Sequence, residues 1–138
     1  MQTENLSISL EDSKALAECV VAVLLEKGAR DVKLFFVRDS SSVTDYYINA
    51  TGRSSTNVMA LADEVLYKVG LLGREAHQTE GRDGRSWILV DYGDVILNVF
   101  DRESREFYNL DRLLNAENEI DISHIVAEVD AKFDINKN

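Results

Sequence analysis

Two carboxylates three residues apart, Asp91 and Asp94, stand in the run Trp87-Ile88-Leu89-Val90-Asp91-Tyr92-Gly93-Asp94-Val95. At the end of a strand, such a pair can hold Mg²⁺ and, with it, a nucleoside triphosphate. A metal-dependent nucleotidyltransferase would add a third carboxylate, for which Asp45 is the candidate, and a loop that grips phosphate. Gly52-Arg53-Ser54-Ser55, ahead of a helix, could receive a phosphate. It lacks the lysine and the glycine spacing of a P-loop. The preferred reading gives Asp91 and Asp94 to a solvated turn or a protein partner and expects no catalytic site, metal or cofactor. The nucleotidyltransferase stays as the alternative.

The other reactive side chains give weaker patterns. His77 and His124 are far apart in sequence, and a zinc site would need them to converge. The serines at 40–42 and 54–55 have no nearby histidine and no nucleophile elbow. Cys19, the single cysteine, lies beside an apolar helical stripe and reads as a buried, inert thiol. The aromatic residues Tyr46, Tyr47, Trp87, Tyr92, Phe107 and Tyr108 say more. Strand alternation points one of the neighbours Tyr46 and Tyr47 inward and the other outward. Aromatic side chains left outside can anchor a protein partner. Base stacking is the lesser reading, because few basic residues interleave with them.

These groups must be positioned by a small acidic chain. The 138 residues carry 15 Lys plus Arg against 25 Asp plus Glu, a net charge of −10. That length fits one domain. One cysteine excludes a disulfide framework. The first twenty residues carry Glu4, Glu11 and Asp12 without a basic start, and no apolar run is long enough to span a bilayer. A cytoplasmic protein is expected, with no membrane contact and little direct contact with nucleic acid, since a broad grip on phosphates needs basic density. Residues 115–138 hold six acidic and two basic side chains, net −4, and are more acidic per residue than the preceding 114.

Periodicity then assigns the elements. Residues 1–9 read as a flexible lead-in. Leu16, Ala17, Val20, Val23 and Leu24 form a helical stripe, with Ser9 or Ser13 as cap and Gly28 as stop. Val32–Val37 and Val43–Ala50 read as strands around a turn at Ser40–Ser42. Val58, Leu61, Ala62, Val65, Leu66 and Val69 face inward from a second helix, capped by Ser54, Ser55 or Thr56. Glu75–Arg85 reads as strand edge or loop. Trp87–Val90 and Val95–Phe100 form a hairpin about Gly93. Arg105–Leu110 reads as a final strand entering a short helix at Asp111–Leu114. Ile122, Ile125, Val126, Val129 and Phe133 fit a tail helix, with Asp121 ahead of it as cap. The fold class is α/β, a mixed sheet of about five strands flanked by helices. The domain division is a lead-in at 1–9, a body at 10–114 and an acidic, helical extension at 115–138.

Several motifs in order resemble one family: Asp45-Tyr46-Tyr47, the Gly52–Ser55 turn, Ala62-Asp63-Glu64-Val65, the Trp87–Val95 run, Phe100, and Arg105-Glu106-Phe107-Tyr108 with Leu110. From about Ala15 to Leu114 the chain is similar to the ribosomal silencing factors, also called the Iojap or RsfS family. The resemblance implies a non-enzymatic repressor of translation. It would bind the large ribosomal subunit through ribosomal protein uL14 and block joining of the small subunit. It also implies a nucleotidyltransferase-like topology without a catalytic site, and a homodimer. The residues expected to face uL14 are Trp87, Asp91, Tyr92, Asp94, Glu106 and Tyr108, then Asp45 and Tyr46. Gly52, Gly93 and Leu110 are expected in turns or core. Asn98 stands where the family pattern has histidine, Asp111 where it has glutamate, and Leu114 where it has tryptophan. The first and third departures are expected to trim or repack the partner surface.

Overall fold

The computed structural model describes residues 10, 12–39 and 43–137. The lead-in at 1–9, Ser9 as a cap and the turn at Ser40–Ser42 lie outside the described residues. Helix α1 (Ser13–Glu26) begins at Asp12, whose backbone is extended and whose carboxylate accepts the Lys14 N–H at 3.2 Å. Ser13 does not cap this helix. It is buried, and its hydroxyl accepts from Arg38 at 3.2 Å. Strand β1 (Arg30–Phe36) pairs antiparallel with β2 (Tyr46–Thr51). Helix α2 (Ser55–Leu71) is capped by Ser54, one of the three candidates. It leads to β3 (Gln78–Glu80), β4 (Trp87–Asp91) and β5 (Val95–Phe100).

The sheet order is β3-β4-β5-β2-β1-β6. Only β2 and β5 run parallel; the other neighbours are antiparallel, so the sheet is mixed. The expected β4–β5 hairpin is present, with Gly93 at φ +91° in the reversal. The sixth strand, β6 (Glu119–Ile120), exceeds the expected five. It is two residues long and pairs with the edge of β1. So short a segment carries no alternation to read in sequence.

Arg105–Leu110 is not a strand. Residues Arg102–Tyr108 form helix α3, and Leu110–Leu114 form α4. Asp101 caps α3, its carboxylate accepting the Ser104 N–H at 2.8 Å. Asn109, at φ 47° and ψ 48°, breaks the two helices apart. The β-preference of Phe107-Tyr108 yields to this local capping. A helix α5 (Ser123–Lys137) closes the chain against α1, with Ile125 and Val129 buried and Lys132 2.8 Å from Glu26. Asp121 accepts the Ser123 N–H at 2.9 Å ahead of it.

Alternation gives the sheet two different faces. On one, Leu34, Ile48, Ala50, Ile88, Val90, Leu97 and Val99 share a core with Leu16 and Val20 of α1 and Val58, Leu61 and Val65 of α2. On the other, register aligns Phe35, Tyr47, Ile96 and Asp91 in one row. Lys33, Asn49, Asn98 and Leu89 form the next row, and Thr51, Phe100 and Trp87 the third. Helices α3 and α4 reach only part of this second face.

Candidate partner-binding face

The hairpin holds its own carboxylates. Asp91 accepts the Gly93 N–H at 2.7 Å and fixes the turn. A side chain at Gly93 would start 2.8 Å from the His77 ring. Asp94 lies 2.6 Å from Arg74, which also donates to the carbonyls of Tyr92 at 3.2 Å and Leu10 at 2.6 Å. The Asp94 carbonyl accepts from the N–H groups of Asp45 and Tyr46 at 3.1 and 3.2 Å, joining the turn to β2. Asp45 pairs with Arg38 at 2.8 Å, and that hydrogen bond holds its pKa below the ordinary carboxylate value. Among the described residues, no three His, Cys, Asp or Glu side chains are grouped to hold a metal.

Two of the aromatic candidates are core residues. Tyr92 is 1% exposed and Tyr46 is also buried. Burial raises both phenol pKa values, and the Tyr92 hydroxyl has no hydrogen-bond partner among the described residues. They continue the inward rows Ile88-Val90-Tyr92 and Tyr46-Ile48-Ala50, so neither presents its ring to a partner. Tyr47, as alternation requires, lies on the second face and is half-buried. The Cys19 thiol is half-buried; its pKa is raised by desolvation and by the nearby Glu26 charge.

The second face is built on a polar chain that crosses the sheet. The Trp87 indole N–H donates to the Asn98 Oδ1 at 2.9 Å. Asn98 donates to the Asn49 Oδ1 at 3.2 Å, and Asn49 donates to Asp111 at 2.6 Å. Arg105 completes the chain, donating to the other Asp111 oxygen and to the Thr51 hydroxyl, both at 2.9 Å. Burial alone would raise the Asp111 pKa. The hydrogen bonds from Arg105 and Asn49, with the charges of Arg105 and Lys33, outweigh it and hold the carboxyl below its ordinary range. Asn98 is buried and acts on this face from beneath, through its bond from Trp87. Asp111 ties α4 to β2, and Arg105 ties α3 to both.

On this base stands an aromatic ladder. Trp87 packs on Phe100 with ring centres 5.0 Å apart and on Tyr108 at 4.6 Å. Phe107 meets Tyr108 edge-on at 5.0 Å. The outer end of the ladder is bare: Tyr108 is 48% exposed and Phe107 79%. Glu103 and Glu106 of α3 are exposed beside it. Leu113 of α4 is also exposed, at 78%. The structure thus brings Trp87, Glu106 and Tyr108 together. Asp91 lies on the same face, whereas Asp94 and Asp45 are engaged in ion pairs. Phe107 and Leu113 are exposed apolar side chains that are not among the residues expected to face uL14. Their signal was available only once α3 and α4 were known to be helices too short to bury every apolar side chain.

A family model described as "Ribosomal silencing factor during starvation" matches residues 10–138. The chain is similar to a ribosomal silencing factor of Haemophilus influenzae, 37% identical over 99 residues, covering 72% of this chain and 97% of that protein. It is also similar to one of Bacillus subtilis, 32% identical over 102 residues, covering 74% and 86%. A crystal structure of a Chromobacterium violaceum protein superposes with a TM-score of 0.68 at 28% identity, covering 76% of this chain and 85% of that one.

Proposed function

The chain belongs to the ribosomal silencing factor family, and we propose that it binds large-subunit protein uL14 and blocks subunit joining by occupying that surface. A ribosome-related regulator, and not an enzyme, is what family membership establishes. The finer reading rests on one observation above the others: a bare aromatic ladder beside exposed carboxylates on an acidic chain. Desolvated aromatic rings supply binding energy, and the carboxylates steer towards Lys and Arg of a basic ribosomal protein. In this reading Trp87, Asp91, Glu106 and Tyr108 make the contact, joined by Phe107 and Leu113. Asp45, Tyr46, Tyr92 and Asp94 shape the scaffold beneath it. The nucleotidyltransferase-like topology serves as that scaffold without a catalytic site, and the protein works in the cytoplasm.

A homodimer belongs to the same proposal, because Phe107, Tyr108 and Leu113 are where two copies would bury apolar area. Sedimentation of the chain with and without uL14 tells whether dimer and complex exclude each other. The direct test is a titration against purified uL14, followed by a subunit-joining assay. Saturable binding together with reduced joining is expected. Folded chain that fails to bind uL14 at low salt defeats the proposal.

A further inference from the structure

The chain carries ten more acidic than basic side chains, yet four arginines meet at one cavity of about 580 Å³. Arg30 begins β1, Arg53 lies in the loop between β2 and α2, and Arg102 and Arg105 belong to α3; Thr51, Gly52, Asp31 and Glu106 complete the wall. Arg105 is held by Asp111 and Thr51, its side chain only 10% exposed. The guanidinium groups of Arg30, Arg53 and Arg102 have no hydrogen-bond or ion-pair partner among the described residues. Neither carboxylate in the wall is within ion-pairing distance of them, and the lining keeps an excess of two positive charges.

The backbone fixes this arrangement from two sides. A side chain at Gly52 would start 2.8 Å from the Val58 side chain and 2.9 Å from its nitrogen, so only glycine lets the Arg53 loop lie this close to α2. The Arg53 N–H then donates to the Asn57 side chain at 2.9 Å. Across the cavity, Asp31 adopts φ 48° and the β1–β2 register shifts between Arg30 and Lys33. That bulge sets Arg30 opposite Thr51. Guanidinium groups without carboxylate partners, converging from separate elements, match the forked geometry of phosphate oxygens.

We propose that this arginine cavity receives backbone phosphates of an RNA strand running beside the protein partner. The cavity wall contains no aromatic side chain, so it suits phosphates rather than bases. Helix α3 is shared: Arg102 and Arg105 line the cavity, while Phe107 and Tyr108 form the bare ladder. A ligand continuous with the docking site is thus favoured over a free nucleotide. This inference rests on the reading of a ribosomal docking face, and it replaces the expectation of little nucleic-acid contact with one confined grip.

The test uses the full chain and a fluorescently labelled mixed-sequence RNA hairpin, with anisotropy followed between about 50 and 200 mM salt. The double variant R53E/R102E should lose at least about tenfold in RNA affinity, and its salt slope should fall by roughly 0.7–0.9 per arginine. The milder R53Q/R102Q should give the same direction with an unchanged melting temperature. Binding of R53Q/R102Q to isolated uL14 should stay within about twofold of the parent, because neither arginine lies in the ladder. Unchanged RNA affinity or an unchanged salt slope overturns the proposal. So does loss of the RNA signal to micromolar tripolyphosphate with no measurable preference for RNA, which would assign the cavity to a free polyphosphate. Failure of the parent chain to bind uL14 while RNA binding behaves as stated defeats the docking reading and leaves the cavity.

Discussion

The two faces of the sheet are built on opposite terms. The face under α1 and α2 is almost wholly apolar, with Ile48, Ile88, Leu97 and Val99 sealed from solvent. The face under α3 and α4 is held by a chain of side-chain hydrogen bonds and ends in exposed rings. The first gains stability from burial, which tolerates any well-packed apolar set. The second positions a few groups, because each buried amide or carboxylate loses more by losing its partner than it gains by having one. Substitutions on the first face should therefore change stability, and those at the rim of the second should change binding.

The largest expected effect is on the covered face. Tyr92→Ala removes a fully buried ring and should cost about 3–5 kcal/mol in denaturant unfolding. The ring that the resemblance expects to face uL14 lies in the core. Next comes Asp111→Ala, which strips Asn49 and Arg105 of their shared acceptor. A loss of about 1–3 kcal/mol is expected, and weaker uL14 binding as α3 and α4 loosen. An equal loss at both positions with no change in binding would erase the contrast between the faces.

Smaller still is the acid response. The Asp111 carboxyl has a folded-state pKa below the ordinary 3.8. Its contribution is therefore complete at neutral pH and is lost as pH falls below 3.8 through the folded value. Asp111→Asn should flatten the fall in melting temperature over that acid range; an unchanged slope would show that the network does not depend on the charge. The smallest change in stability is expected for Phe107→Ser, within about 0.5 kcal/mol. The same variant should still weaken uL14 binding, measured by titration, which sharpens the distinction between rim and core.

Local signals carried most of the fold. The stripe from Leu16 to Leu24 and the pair of runs about Gly93 identify a helix and a hairpin because their periodicity is internal. Helix α3 is hidden from a sequence reading because Phe107 and Tyr108 have strand preference, whereas its start depends on a single cap at Asp101. Part of the candidate face was legible in the same way. Trp87 and Tyr108 belong to the motif and lie on the open face. Tyr46 and Tyr92 belong to the motif too, but they share parity with Ile48 and with Val90, and counting in twos along each strand would have placed them inside. The bonds from Asn98 to Asn49 and from Asn49 to Asp111 span 49 and 62 residues. No spacing rule reaches so far, and the convergence of Arg30, Arg53 and Arg102 is hidden for the same reason.

Trp87 is the chain's single tryptophan and stands in the ladder between the buried Phe100 and the exposed Tyr108. Its emission during a titration with uL14, corrected for uL14 alone, reads the proposed docking face directly. A saturable shift or quench that tracks complex formation, and that Tyr108→Ala moves to at least about tenfold higher uL14 concentration, is the predicted result. A complex that sediments together while Trp87 emission stays unchanged, or no complex at all with folded chain, would contradict it.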